Sequence, residues 1–357
     1  MGVYLRRHIT GHSVIGARHV QMGTPCQDAI FIENEEDISI LCAADGHGDE
    51  KHSKSDEGAQ AAVEVAGSLL KQALQDLRHD RRTFREIELG IREHLPRRIA
   101  WEWNRKVQKT QDGYWSRDVI LYGCTILAAA ISSEMSIFVQ LGDGDMLFIN
   151  EEGNAEFIFP PDEDMYGTVT HSLCQPNIAQ NTKISVRTLP QPKLFLMSTD
   201  GLRDSLQDDA QSYINVGKWL LKRFQSEGFY PIQTTLPNWL SQLSERGNGD
   251  DTTMGLLIWE SVNNNTFLAP TPQKKSYIPS SQSTISGNPL LDFFCEPESV
   301  FVEHTQNKNV QNPLSISTKE AMGLHISLRT RNILAPRFNK LVGRTKKYSR
   351  YLRSYKK

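Results

Sequence analysis

Apolar positions run almost unbroken from Ile38 to Ala44 (ISILCAA) and stop on Asp45, Gly46, His47 and Gly48. A short run of this kind bounded by turn residues predicts a strand buried on both faces. The next stretch, KSDEGAQAAVEVAGSLLKQALQDL, places Ser55 as an N-cap, Asp56 and Glu57 in the first turn, and Ala and Leu at helical spacing, which predicts a helix. A second helix is expected over Thr83 to Lys106, with Trp101 and Trp103 as packing residues. From Gly123 the period changes to that of strands. GCTILAAAIS, MSIFVQLGD, DMLFIN and AEFIFP, with a turn at EEGN, predict an antiparallel meander. KISVRTL and KLFLMSTD add two strands, helices are expected over Ser205 to Gln225 and Leu236 to Glu245, and TTMGLLIWE closes the body with a strand. Strands in runs with helices grouped together predict an α+β fold, not a parallel doubly wound sheet.

Composition changes after Glu260. Residues 261–318 are rich in Asn, Ser, Thr, Pro and Gln without a sustained period and predict a polar, disordered linker. Residues 319–357 carry 12 Lys or Arg and one acid, Glu320, so this tail is +11 in a chain whose formal net charge is −2, and the other 318 residues carry −13. Basic residues interleaved with Tyr and Phe are a composition suited to an acidic protein, nucleic acid or anionic lipid. The five cysteines, Cys26, Cys42, Cys124, Cys174 and Cys295, are scattered, odd in number and never in a CxxC pair, which argues against a disulfide scaffold and a zinc knuckle. MGVYLRRHIT lacks an apolar signal core, and no apolar stretch nears the ~20 residues that a membrane span needs. A soluble, cytoplasmic protein is expected, with a body over 1–260.

The acids give the chemistry. Asp45 ends CAADGHG, Asp143 lies in VQLGDGD, Asp200 ends FLMSTDG, Asp250 and Asp251 lead into the last strand, and Asp28 precedes the apolar AIFI. Carboxylates gathered at one edge of a sheet repel one another and are costly to desolvate unless cations sit between them. The pattern therefore points to a dinuclear metal centre. The candidate donors are oxygens, with His47 the one imidazole inside a motif, which favours Mg²⁺ or Mn²⁺ over Zn²⁺. Gly46 has no side chain to shield its carbonyl from such an ion.

DGHG after an apolar strand, GD in mid-chain, STDGL ending a strand and a DDxT entering the last one resemble the metal-dependent, type 2C serine/threonine protein phosphatases. The opening GHSVIGARHVQMGTPCQDA resembles their bacterial branch, whose first motif reads H…G…PCQD, and the similarity covers roughly residues 8 to 259. The resemblance implies a two-sheet antiparallel β-sandwich flanked by helices. It also implies hydrolysis of phosphoserine and phosphothreonine on proteins phosphorylated by a cognate kinase, with a metal-bridged water as nucleophile. By the same resemblance Asp45 bridges two metals, Asp200 and Asp250 complete the first, and Asp28 and the Gly46 carbonyl serve the second. Asp143 joins Asp200 at a third. His47 is the general acid for the leaving alkoxide, or else a histidine that orders its loop.

Departures from the pattern leave alternatives. Many members carry a phosphate-gripping arginine five residues before the first-motif aspartate, where this chain has Gly23, and Arg18 or His19 are the nearest substitutes. The middle motif is GDGD instead of GDSR, and PPDEDMYGTVTHSLCQP stands where the family has a mobile flap. Asp45 and His47 also satisfy the DxH of calcineurin-like metallophosphatases, but Gly249 stands where their histidine is needed, and the DxD at Asp143 lacks the further motifs of haloacid-dehalogenase phosphatases. A pseudophosphatase that binds phosphoproteins or a kinase without turnover is the reading outside catalysis.

Overall fold

The computed structural model describes residues 3–263 except 36, 78–81, 109–117, 161–169 and 207–209. The basic tail and nearly all of the linker lie outside the described residues, as does most of the expected flap. The fold is α+β, with two antiparallel five-stranded sheets. The first half of the chain supplies β1 (Val3–Val14), α1 (Ala17–Met22), β2 (Ala29–Glu35), β3 (Ile38–Ala44), α2 (Ser55–Leu77) and α3 (Phe84–Gln108). Four strands follow, β4 (Ile126–Ile131), β5 (Ser136–Leu141), β6 (Asp145–Asn150) and β7 (Ala155–Phe157), then α4 (Ile178–Asn181), β8 (Lys183–Arg187) and β9 (Pro192–Ser198). The body ends with α5 (Asp200–Asp204), α6 (Ala210–Glu227), α7 (Phe229–Arg246) and β10 (Thr252–Asn263). One sheet has the order β1-β10-β9-β6-β7 and the other β2-β3-β4-β5-β8.

Both faces of each sheet are covered, which explains the unbroken apolar runs. Ile40, Cys42 and Ala44 of β3 pack in a cluster with Ala62, Leu70 and Trp103 of α2 and α3. Leu41 and Ala43, pointing the other way, join Phe138, Met146, Phe195, Met197 and Leu257 between the sheets. On the far side Leu194 and Leu196 of β9 meet Tyr213, Leu220, Trp239 and Leu240 of α6 and α7. The result is four layers, helices on sheet on sheet on helices, with the inter-sheet core in the middle.

Several sequence expectations need correction. The strands after Gly123 form two hairpins in different sheets, β4–β5 in one and β6–β7 in the other, not one meander. The chain crosses between sheets at residues 142–144, where Gly142 has a φ of 112°. Apolar alternation is the same in either sheet, so it does not say where the next strand pairs. β1 was not expected, because an edge strand with Arg6, Arg7 and His8 lacks an apolar run, yet it pairs along its length with β10. That pairing carries β10 to Asn263, past the expected boundary at 260. Ser55 is the first residue of α2, and its hydroxyl accepts from Gln27 Nε2 at 2.9 Å. α3 begins instead with a reciprocal cap: Thr83 N–H donates to Glu86 Oε2 at 2.8 Å and Glu86 N–H to Thr83 Oγ1 at 3.4 Å.

The two tryptophans of α3 differ. Trp103 is fully buried and its Nε1–H donates to Gly58 O at 2.9 Å, whereas Trp101 is 60% exposed beneath Arg105. Trp103→Ala is expected to cost about 3–5 kcal/mol in denaturant unfolding, and Trp101→Ala about 0.5 kcal/mol or less. Similar losses at both positions would contradict the packing described.

Candidate metal centre

Four chain segments that end or begin strands meet at one end of the sandwich. Asp45 follows β3, Asp143 lies in the β5–β6 crossover, Asp200 opens α5 just after β9, and Asp250 lies two residues before β10. The register brings them together, since Asp145 and Met254 both pair with Ser198, and Asp45 N–H donates to Thr125 Oγ1 at 3.0 Å. Asp45, Asp143 and Asp200 each present a carboxylate oxygen within 4.8 Å of the others. They line a cavity of about 560 Å³ together with Asp250, Gly46, His47, His19, Arg18 and Lys51. Asp250 shares the cavity but stands outside that close group of three.

The remaining expected residues fall into distinct places. Gly46 lines the cavity, and a Cβ there would come 2.6 Å from Gln27 O and 2.8 Å from Ser55 O, so the chain passes through a gap only glycine fits. Asp28 is not among the cavity's lining residues. Its Oδ2 accepts from Thr199 Oγ1 at 2.9 Å and Thr253 Oγ1 at 2.7 Å, two hydroxyls that the sequence reading missed. Thr199 directly precedes Asp200 and Thr253 lies two residues after Asp251, so both sit at a strand end close to an acid, which is the signal that marks them. Gly23, where the arginine was sought, is the left-handed C-cap of α1 and is open around its Cα. Arg18 lines the cavity, but its guanidinium donates to Asn248 O at 2.7 Å.

Besides Asp28, two further motif acids are not in the cavity. Asp145, the second acid of GDGD, is buried against Arg203, whose Nη1 donates to its Oδ2 at 2.8 Å and to Asp143 O at 3.2 Å. One cation thus ties the Asp143 segment to the helix that Asp200 opens. Asp251 is likewise turned inward, away from Asp250.

Electrostatics at the site are those of carboxylates packed too closely. Burial, then the charges of Asp200 and Asp28, push Asp45 well above the ordinary carboxylate range. Burial also raises Asp28, and burial with Asp143 raises Asp200 to about 7. His47 moves the other way: burial, then the His52 ring at 4.9 Å, lower it to about 4. Among the described residues the His47 ring makes no hydrogen bond, and its loop is held through the backbone, Gly46 N–H to Gln27 O and His47 N–H to Gly123 O, both at 3.1 Å. A converging all-carboxylate set of this kind fits hard divalent cations, which relieve the repulsion and favour oxygen donors.

A stability consequence follows with a definite sign. A carboxyl with a raised folded pKa holds its proton longer in the native state than in the unfolded chain, so stability falls as pH rises between the two pKa values. For Asp200 that window runs from the ordinary carboxyl value of 3.8 to about 7. The metal-free protein is expected to lose melting temperature from about pH 4 to pH 7, at roughly 2–4 °C for each kcal/mol. Saturating Mn²⁺ is expected to flatten that slope. A calorimetric series in which Asp200→Asn loses as much melting temperature across this window as the wild type would remove the electrostatic account, since the opposite contribution of His47, lowered to about 4, cancels in that comparison.

Residues 15–241 match the family described as Protein phosphatase 2C. Among solved structures, a bacterial serine phosphatase is similar to this chain at 16% identity with a TM-score of 0.50, covering 72% of this chain and 100% of that one. Serine/threonine phosphatase Stp1 from Staphylococcus aureus is similar at 14% identity and a TM-score of 0.48, covering 72% and 96%. The catalytic domain of the serine threonine protein phosphatase PstP, solved with two manganese ions, is similar at 15% identity and a TM-score of 0.43, covering 72% and 99%. No curated protein matches the sequence. The first of these likenesses extends to the fold.

Proposed function

Since the chain belongs to the protein phosphatase 2C family, we propose that it hydrolyses phosphoserine and phosphothreonine on proteins, with Mn²⁺ or Mg²⁺ held at the carboxylate end of the sandwich. The observation that carries this reading is the convergence of Asp45, Asp143 and Asp200 within 4.8 Å in the wall of an open cavity. Divalent ions supply Lewis acidity and an activated water there when bound. Asp45, Asp200, Asp250 and the Gly46 carbonyl would hold the ions, with Asp28 acting through water. Asp143 with Asp200 offers a third position.

The chain's own groups do the rest. Asp45 is fixed by the Thr125 hydroxyl at its backbone N–H, and Asp143 by Thr170 Oγ1, which donates to its Oδ2 at 2.6 Å. His47 stands at the cavity with no competing side-chain hydrogen bond among the described residues, in position to hand a proton to a departing serine or threonine oxygen. Lys51 and His52, with Arg18 and His19, set positive or neutral donors beside the acids of the wall, where a phosphoprotein would enter. The free thiols of Cys26, Cys42, Cys124 and Cys174 suit a reducing, cytoplasmic setting in which a serine/threonine kinase makes the substrate. Among the described residues no helix is long and apolar enough to cross a membrane. We place the catalytic body at 1–263, through the end of β10, followed by a polar linker and a basic tail.

One observation favours a second reading, a phosphatase-like binding protein: the position expected to grip phosphate is Gly23, with no side chain to offer. A single assay separates the two. Hydrolysis of a phosphothreonine peptide and of an aryl phosphate is expected with Mn²⁺ and is expected to vanish with EDTA. Full activity in EDTA would end the metal mechanism, and phosphopeptide binding without turnover in Mn²⁺ would establish the second reading.

A further inference from the structure

Beside the carboxylate cluster stands a group of residues with no part in the foregoing reading. Asp251 follows Asp250 in sequence, but its side chain is 3% exposed against 44% for Asp250. Its Oδ1 accepts the Gly16 N–H and its Oδ2 the Gln27 N–H, both at 2.6 Å. Oδ1 also faces His19 Nδ1 at 2.9 Å. A carboxylate that already holds two backbone donors is an acceptor, so Nδ1 carries the ring proton and Nε2 of the neutral imidazole keeps its lone pair. That nitrogen is on the cavity side: His19 is a lining residue, and Nε2 lies 4.0 Å from Asp250 Oδ1. With octahedral bonds of roughly 2.1 Å, two donors on one ion stand roughly 3 Å apart when adjacent and roughly 4.2 Å apart when opposite. The observed 4.0 Å is closest to the opposite arrangement.

The surrounding chain is built to hold this pair. Gly16 approaches the 249–251 segment so closely that a Cβ would come 2.4 Å from the Asp250 carbonyl carbon and 2.6 Å from Asp251 N. Ala17 N–H donates to Ser244 Oγ at 3.1 Å, and that hydroxyl donates to Asp250 O at 2.8 Å. Arg18 N–H donates to Gly249 O at 2.9 Å. Four contacts therefore staple the start of α1 to the loop that carries Asp250, and His19 is the side chain this staple aims. An imidazole whose far nitrogen is engaged by a buried carboxylate is how proteins orient a metal-ligating histidine.

Resting on the reading that divalent ions bind at this end of the sandwich, we propose that His19 Nε2 is a direct ligand of an ion held jointly with Asp250, and that Asp251 is the positioning residue that fixes its ring. A nitrogen donor tilts such a site from Mg²⁺ toward Mn²⁺ and the later first-row ions. It also gives the adjacent acids separate tasks, one for the ion and one for the histidine.

The test is pulsed electron paramagnetic resonance of the full chain loaded with Mn²⁺ alone, with Mn²⁺ and Mg²⁺ affinities measured by titration. The ¹⁴N hyperfine coupling of a bound imidazole is expected in the wild type and in His47→Ala and His52→Ala, and is expected to disappear in His19→Gln. Mn²⁺ affinity is expected to fall roughly 10–100-fold in His19→Gln and roughly 10-fold in Asp251→Asn, with a smaller change for Mg²⁺. Wild-type protein that binds Mn²⁺ without nitrogen coupling, or coupling that survives His19→Gln, overturns this assignment and leaves the carboxylate centre standing. A wild type that binds no Mn²⁺ overturns the carboxylate centre itself, and His19 with it.

Discussion

Asp45→Asn is expected to reduce hydrolysis of both a phosphothreonine peptide and an aryl phosphate to the uncatalysed background at saturating Mn²⁺. Of the three clustered carboxylates, Asp45 is the one whose charge is opposed by every neighbour: burial, Asp200, Asp28, Asp143 and Asp250 all act to keep it protonated. That concentration of negative charge is what a pair of divalent ions would use, and an amide in its place removes a full charge from the central ligand. The fold should not suffer, because removing one member of a repelling set relieves the metal-free state. The melting temperature of metal-free Asp45→Asn at pH 8 is therefore expected to equal or exceed that of the wild type, while its stabilisation by Mn²⁺ is largely lost. A variant that retains turnover, or one whose metal-free form melts well below the wild type, would show that Asp45 serves packing and not ion binding.

The acids were legible because each sits where an apolar run ends, and a strand end is a place that a sheet can bring beside other strand ends. Asp45, Asp143 and Asp200 mark such ends; the register of β6 and β10 on β9 brings Asp143, Asp200 and Asp250 together, and Asp45 joins them from the facing sheet. What the pattern lacked was direction at single residues. Asp250 and Asp251 are neighbours of identical type, and only the approach of Gly16 and Gln27 from distant parts of the chain decides that the second turns inward. Asp145 completes a DxD with Asp143 in the sequence, yet Arg203, a residue of a different element, claims it. Contacts of this kind span more than fifty residues of sequence, and no local period records them. Topology was hidden for the same reason. β5 and β6 read alike, and the switch between sheets lies in a turn whose glycines have no apolar signature. His19 carried a weak sign, a histidine in a short polar segment ahead of PCQD, but without its partner at Asp251 nothing separated it from Arg18.

His47→Ala is expected to slow hydrolysis of a phosphoserine peptide by roughly 10²–10⁴-fold while leaving an aryl phosphate within a few-fold of the wild type. The difference lies in the leaving group. A phenolate departs as a stabilised anion, whereas a serine alkoxide needs a proton as the P–O bond breaks, and general acid catalysis counts only where that proton is needed. Burial and His52 hold His47 down at about 4, so the ring is neutral in the empty cavity at pH 7. The negative charge of an arriving phosphate, added to that of Asp143, is what draws a proton onto it. The imidazole is free for this, since its loop is secured through the backbone N–H groups of Gly46 and His47. His52→Ala removes the neighbour that disfavours the charged ring, and is expected to extend phosphoserine hydrolysis toward higher pH without changing the aryl reaction. Equal losses on both substrates in His47→Ala would assign the ring to shaping its loop and would require the proton to come from elsewhere.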